Sequence, residues 1–312
     1  MRDYTFASAL LSTKSAGLLS KTQFRDLQAT DESGFVLKLQ ALGYSVSNKN
    51  AIVEAILEGE VINLKEEIIQ ILPYDDLPLL FFTKYDLTNI RSYYKNKLFK
   101  SEISDFEEAG FLSKKDLEKA ILHDDCLSLI EPYKSLFVLT NEKTFASIRE
   151  LVSFLQNSLQ MLVFNLIKDR KDEALEHYFV ISTDISNLLS LLRARRMKFD
   201  EEQLRFNLLS HGQMSVSDIL ALLNSDSRDL INRYSSLYMS KFVAPLQEYF
   251  ANNDFSLLEQ SLLHIMIQEN KDYAIDITST ASIIDYVVRK QIEIIDIRRL
   301  YLDRKAILMV GA

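Results

Sequence analysis

The sequence predicts an all-α protein, and three observations carry that expectation. Glycine and proline are scarce, with 7 and 4 residues among 312, against about 7% and about 5% in an ordinary soluble chain. Many short strands need more turn residues than this; long helices joined by short connections do not. Apolar residues recur at helical spacing over long stretches that neither breaker interrupts. Two short patterns also recur three times in the same order, about a hundred residues apart, as expected of one structural unit built three times.

The first pattern is Gly-x-(Leu/Met)-Ser with an apolar residue four positions after the serine. It reads Gly17-Leu18-Leu19-Ser20 with Phe24, Gly110-Phe111-Leu112-Ser113 with Leu117, and Gly212-Gln213-Met214-Ser215 with Ile219. The glycine is expected to close a helix as a left-handed residue, and the serine to N-cap the next helix. Asp116 and Asp218, three residues beyond their serines, complete an acidic capping box. The second pattern is an acid three positions before an amide or acid, then an aliphatic residue: Asp86 with Asn89, Asp184 with Asn187, and Glu293 with Asp296. Residues three apart share a helix face, so these six are expected to hydrogen-bond a neighbouring helix end and set its register. A catalytic carboxylate would need a histidine or metal ligand recurring beside it, and none does. The recurrence divides the chain into three helical repeat domains, 1–100, 101–200 and 201–312.

In chain order, Pro73 and Pro78 mark a break in the first stretch, and Pro132 and Pro245 mark breaks in the other two. Phe81, Phe82, Tyr85, Tyr93 and Tyr94 read as core aromatics rather than a platform for stacking bases. From Thr144 to Lys168, Ile148, Val152, Leu155, Leu159, Leu162 and Leu166 fall on one helical face. From about Ala281 to Lys305, Ile284, Val288, Ile292 and Ile295 do the same. The β-branched residues there would suit a strand, but the unbroken length favours a helix. No low-complexity linker separates the stretches, so they are expected to pack tightly.

The net charge of −8 makes the chain repel nucleic acid and anionic lipid. Bases nevertheless gather around each acidic motif. Lys84, Arg91, Lys95, Lys97 and Lys100 accompany Asp86; Arg193, Arg195, Arg196 and Lys198 accompany Asp184; six bases accompany Glu293, Asp296 and Asp303 between Arg289 and Lys305. Cations suit helix C-termini. A sharper reading makes Lys84, Arg91, Arg193, Arg195, Arg196, Arg298 and Arg299 a binding surface for an acidic partner. No Gly-x-x-x-x-Gly-Lys-(Ser/Thr) or Gly-x-Gly-x-x-Gly occurs, so no nucleotide site is expected. The single cysteine, Cys126, excludes an internal disulfide and a cysteine-based zinc site. His123-Asp124-Asp125-Cys126 reads as exposed helix without a third ligand, and His177, His211 and His264 are too scattered for a triad. Catalytic residues, cofactors and metals are thus all expected to be absent. Asp3 beside Arg2, with Lys14 interrupting the apolar stretch, does not read as a signal peptide. The longest uncharged run, Leu151 to Ile167, holds Gln156, Asn157, Gln160 and Asn165, and suits a helix outside the membrane better than a span. If the chain meets a membrane, another protein is expected to hold it there.

Lys84-Tyr85-Asp86-Leu87-Thr88-Asn89-Ile90-Arg91, Asp184-x-x-Asn187-Leu188 and Lys290-Gln291-Ile292-Glu293-Ile294-Ile295-Asp296-Ile297-Arg298 resemble the C subunit of the prokaryotic V-type and A-type rotary ATPases, whose eukaryotic relative is called the d subunit. The resemblance spans essentially the whole chain, including the helix led by Tyr4, Leu42-x-Tyr44 and the glycine–serine junctions. It departs at Ser182, where the family usually has an acid, at Gln291, where Glu is common, and at Asp296, where Asn is common. It implies a funnel of three similar helical domains about a pseudo-threefold axis. It also implies a place at the cytoplasmic face of a membrane proteolipid ring, with central-stalk subunits of the D and F types seated in the funnel. Such a protein has no chemistry of its own and transmits torque between ATP turnover and H⁺ or Na⁺ transport. The alternative is a free-standing α-helical repeat scaffold that binds protein partners. Repeats of about a hundred residues argue against an ordinary solenoid, whose repeats run about 20–50.

Overall fold

The computed structural model describes residues 4–44, 52–73 and 75–310, apart from the side chains of residues 32, 33, 239 and 303–310. Arg2, Asp3, and the side chains of Asp303 and Lys305 therefore lie outside it. Among the described residues all regular structure is helical, as the turn-poor composition predicts. The helices are α1 (Thr5–Ser15), α2 (Lys21–Ala29), α3 (Glu32–Ala41), α4 (Val53–Ile71), α5 (Leu77–Phe99), α6 (Lys114–Leu117), α7 (Tyr133–Asn141) and α8 (Ile148–Arg170). They continue as α9 (Glu173–Met197), α10 (Glu201–Arg205), α11 (Val216–Ala221), α12 (Ser227–Ser235), α13 (Val243–Asn252), α14 (Phe255–Asn270) and α15 (Ala281–Val310).

The chain forms two compact units. One comprises Met1–Phe82 with Ser282–Ala312, the other Thr83–Ala281, and α5 and α15 have residues in both. In the second unit α9 packs against α8, α10, α11 and α14. Ala174, Leu175, Ile181, Ile185, Leu188, Leu191 and Leu192 bury nearly every side of that helix, as a core helix requires. In the first unit the core includes Leu11, Leu27, Phe35, Ile56, Leu57 and Ile68.

Local chemistry explains where helices start and stop. Ser20, Ser113 and Ser215 each accept a hydrogen bond from the amide three residues on and N-cap α2, α6 and α11. Asp116 completes the box at α6, and Asp218 accepts from the Ser215 hydroxyl at 2.7 Å. The four prolines lie just after α4 (Pro73), in the first turns of α5 and α13 (Pro78, Pro245), and at the N-cap of α7 (Pro132), where a missing N–H costs nothing. Lys171, Lys198 and Asn253, with φ of 55, 56 and 55°, close α8, α9 and α13 in the left-handed region.

Three expectations need correction. Gly17, Gly110 and Gly212 are not left-handed; among the described glycines only Gly43 is, at φ 95°. The buried stripe of α8 is Leu151, Leu155, Leu159, Val163 and Ile167, while Ile148 is exposed and Val152, Leu162 and Leu166 are half-buried. Two apolar stripes adjoin on this helix, and its neighbours α7 and α9 cover the other one. His123–Cys126 is not helical: the chain leaves its last turn at His123, which is exposed, and Cys126 is buried in the loop. At the C-terminus the helix wins over the strand, with Ile284, Val288 and Ile292 buried and Ile295 exposed.

Leu188 is inaccessible to solvent. Leu188→Ala is expected to lower unfolding stability by about 2–5 kcal/mol, read from urea denaturation, with helical circular dichroism retained.

Candidate functional site

The two recurring patterns are two halves of one contact. Asp86, buried on α5, accepts hydrogen bonds from the Phe111 and Leu112 amides, both at 2.8 Å. Asp184, buried on α9, accepts from the Gln213 amide at 2.9 Å and the Met214 amide at 3.3 Å. Glu293, buried on α15, accepts from the Leu19 amide. Each acid thus holds the Gly-x-(Leu/Met)-Ser junction that opens the following stretch of chain, and the last acid holds the first junction. The carboxylate takes up amides of the turn just before the N-cap serine, which lie outside the helix and make no bond within it.

This contact explains Gly110 and Gly212. A Cβ at Gly110 would lie 2.4 Å from Asp86 Oδ1, and one at Gly212 would lie 2.2 Å from Asp184 Oδ1. Neither distance is compatible with a side chain. The left-handed residue at the third junction is His211, φ 72°, one position before Gly212; its ring stacks on Phe164 at 4.3 Å.

A tyrosine completes each site. The Tyr133, Tyr238 and Tyr44 hydroxyls donate to Asp86, Asp184 and Glu293 respectively. Sequence reasoning missed Tyr133 and Tyr238 and met Tyr44 only through the family resemblance. The signal was a tyrosine 27 residues after Gly17, 23 after Gly110 and 26 after Gly212. That drifting interval hid the recurrence. Tyr238 sits at φ 51°, a left-handed position that costs a non-glycine residue about 1–3 kcal/mol. The hydroxyl bond and stacking on Phe242 at 4.9 Å hold it there.

The amide of each motif does separate work. Asn89 accepts from the Glu107 amide and donates to its carbonyl, both at 2.9 Å. Asn187 does the same with Leu209, at 2.8 and 2.9 Å. Asp296, half-buried on α15, has no side-chain N–H with which to copy this pairing.

Burial raises the Asp184 carboxyl above its usual range, and the Tyr238 hydroxyl with the two junction amides offsets part of that rise. Burial, and then the adjoining carboxylate, pushes the Tyr133, Tyr238 and Tyr44 hydroxyls well above theirs. The tyrosines therefore stay protonated and act as donors.

The seven cations read as a partner surface differ in their surroundings. Arg91 donates to Gln156 on α8, and burial lowers its guanidinium to about 10. Arg193 lies 3.7 Å from Glu259 on α14, and Arg298 donates to Glu54 on α4 at 2.9 Å. Arg195 is half-buried and donates to the Ser225 carbonyl. Arg299 is half-buried, while Lys84, Arg193 and Arg196 are exposed. Each long motif helix thus also carries an arginine to the long helix of the next stretch.

The other candidates are dispersed. His177 lies 3.4 Å from Glu269, and His264 contacts the Gln260 carbonyl at 2.8 Å. Among the described residues no group of three or more His, Cys, Asp and Glu side chains could hold a metal ion.

The family ATP synthase (C/AC39) subunit matches residues 7–301, a span that contains all three contacts. The chain belongs to that family. The resemblance to the C subunit, read from the motifs, is borne out. The C subunit of an A-type ATP synthase from Thermococcus onnurineus (strain NA1) is 26% identical over 95% of this chain and 84% of its own. Its counterpart from Desulfurococcus sp. (strain SY) is 25% identical over 95% and 85%. A third, from Pyrococcus abyssi (strain GE5 / Orsay), is 22% identical over 93% and 84%.

In this family member Gly110→Ala and Gly212→Ala are each expected to cost about 1–3 kcal/mol by overpacking, measured by urea denaturation. Gly59→Ala, where an added Cβ meets nothing within 4 Å, is the neutral or stabilising control. Equal effects at all three positions would dissociate the glycines from the carboxylates.

Alkaline pH tests the tyrosines. Their folded pKa values lie above the free value of about 10. Their stabilisation is therefore present below about pH 10 and lost as pH rises toward the folded values. Denaturation midpoints are expected to fall above about pH 10, and Tyr133→Phe and Tyr238→Phe each to flatten that fall. An unchanged alkaline slope in both variants would show that these hydroxyls do not couple to the carboxylates.

Proposed function

We propose that the chain is the non-catalytic socket in the central rotor of a V/A-type rotary ATPase. It joins central-stalk subunits of the D and F types to the membrane proteolipid ring, and so couples ATP turnover to H⁺ or Na⁺ transport. The carrying observation is the family match from residue 7 to residue 301, supported by relatives that are named as components of A-type ATP synthases.

The internal construction suits the task. Torque passes through a body only if the body resists shear. A buried carboxylate that gathers two amides and a phenol at a helix junction is a stiff element, because each displaced group would be left unsatisfied. That contact made at Asp86 and Asp184, with a lighter one-amide version at Glu293 returning to the first junction, suits three domains, 1–100, 101–200 and 201–312, in a pseudo-threefold funnel. No described helix is long and apolar enough to cross a membrane. A peripheral position at the cytoplasmic face, held by the membrane sector, fits that composition.

We assign the partner surface to exposed cations. Arg193 and Arg196 are offered to an acidic partner, whereas Arg195 is kept out of the test because it holds the Ser225 carbonyl. The test is a pull-down of stalk proteins and proteolipid ring by the intact chain across a salt series. Wild type is expected to retain both. The Arg193→Gln, Arg196→Gln double variant is expected to bind more weakly and with a shallower salt dependence, since screening acts on the charges removed. Its circular dichroism should be unchanged, because the Arg193–Glu259 pair is exposed and worth about 0–1 kcal/mol. A wild-type chain that captures neither partner would overturn the proposal. A double variant with the wild-type salt profile would move the partner surface elsewhere.

A further inference from the structure

The three contacts are not equivalent, and their differences all fall at Glu293. Asp86 and Asp184 each take two junction amides, whereas Glu293 takes the Leu19 amide. At Gly110 and Gly212 the backbone is pressed against the acid, but a Cβ at Gly17 would meet only the Lys14 carbonyl, at 3.2 Å. Glu reaches one methylene further than Asp, so the junction does not need to approach so closely. Asn89 and Asn187 add two further bonds each beside their acids, and Asp296 lacks the amide to do so.

Electrostatics points the same way. If the Gln213–Met214 junction left Asp184, a buried carboxylate would keep the Tyr238 hydroxyl and no paired cation among the described residues. Such a charge is costly. If the Leu19 junction left Glu293, the carboxylate would keep both the Tyr44 hydroxyl and the Lys290 ammonium, which lies 2.8 Å away. Lys290 is itself steadied by Glu60 at 3.3 Å and by the Tyr44 ring at 4.4 Å. Release here leaves no orphaned charge. It also leaves α15 in place. Tyr286 donates to Glu67 at 2.6 Å and Arg298 to Glu54 at 2.9 Å, so a ladder of side chains holds α15 along α4 without help from the junction.

We propose that the contact between Glu293 and the Gly17–Leu19 corner is a releasable latch. The corner and α2 beyond it disengage from α15 while the Asp86 and Asp184 contacts and the α15–α4 ladder stay closed. The latch belongs to the isolated chain, whatever its partners, and gives its first unit two states of the α1–α2 corner.

The experiment is residue-resolved amide hydrogen exchange on the intact chain, without partners, at denaturant concentrations below global unfolding. Protection is corrected for intrinsic rates and compared among Leu19, Leu112 and Met214. The Leu19 amide is expected to exchange at least tenfold faster than the other two and with a smaller denaturant dependence, as local opening requires. Glu293→Gln, which removes the anion, is expected to raise Leu19 exchange further and leave Leu112 and Met214 unchanged. Should that variant fail to fold, the three wild-type rates decide alone. Leu19 protected as strongly as Leu112 and Met214, or all three amides accelerated together by Glu293→Gln, would overturn the latch.

Discussion

A carboxylate buried among apolar side chains is costly unless both of its oxygens find donors. In this chain Asp86 and Asp184 meet that condition with backbone amides from the beginning of the next stretch of sequence and a tyrosine hydroxyl. Most of what is distinctive in the sequence follows from that requirement. The junction must approach within hydrogen-bonding distance, so its leading residue has no Cβ. The acid takes the amides just before the serine, and the serine side chain caps the amide three residues beyond it, so the two divide the free donors of the junction between them. The phenol must stay protonated, so it is buried beside the negative charge that suppresses its ionisation.

The long helices reinforce the contacts. An arginine on each motif helix reaches the long helix of the following stretch: Arg91 to Gln156, Arg193 to Glu259 and Arg298 to Glu54. These ties differ in strength with their exposure. Arg91 is desolvated and would leave a charge stranded if broken, while the Arg193 pair is open to solvent and weak. Basic character around the acidic motifs therefore has two sources, desolvated fastening such as Arg91 and exposed side chains such as Arg193 and Arg196.

Much of this is legible in the sequence. The helical class follows from missing turn residues, and the serine caps from their spacing to the next acid or amide. The acids and amides of the motif are legible because helical periodicity fixes a spacing of three. The glycines are legible as recurrent, but the sequence suggests the wrong reason for them: a left-handed φ is a local property, whereas a close approach to Asp86 or Asp184 depends on a residue 24 or 28 positions away. Tyr133 and Tyr238 are hidden by loops of unequal length. Arg195 looks like a solvated helix end because its acceptor is a backbone carbonyl, Ser225, which no residue type announces. The α8 stripe is displaced because two apolar faces adjoin and only the neighbouring helices decide between them.

The most direct test of the shared carboxylate contact is a double-mutant cycle at each of two sites, Asp86→Ala with Tyr133→Phe and Asp184→Ala with Tyr238→Phe, followed by equilibrium urea unfolding. If acid and phenol act as one unit with the junction, each cycle gives a favourable coupling of about 1.5–3 kcal/mol, the range for hydrogen bonds to charged groups. Additivity within about 0.5 kcal/mol at both sites would contradict it, and would leave the recurring residues as neighbours rather than as a recurring bond.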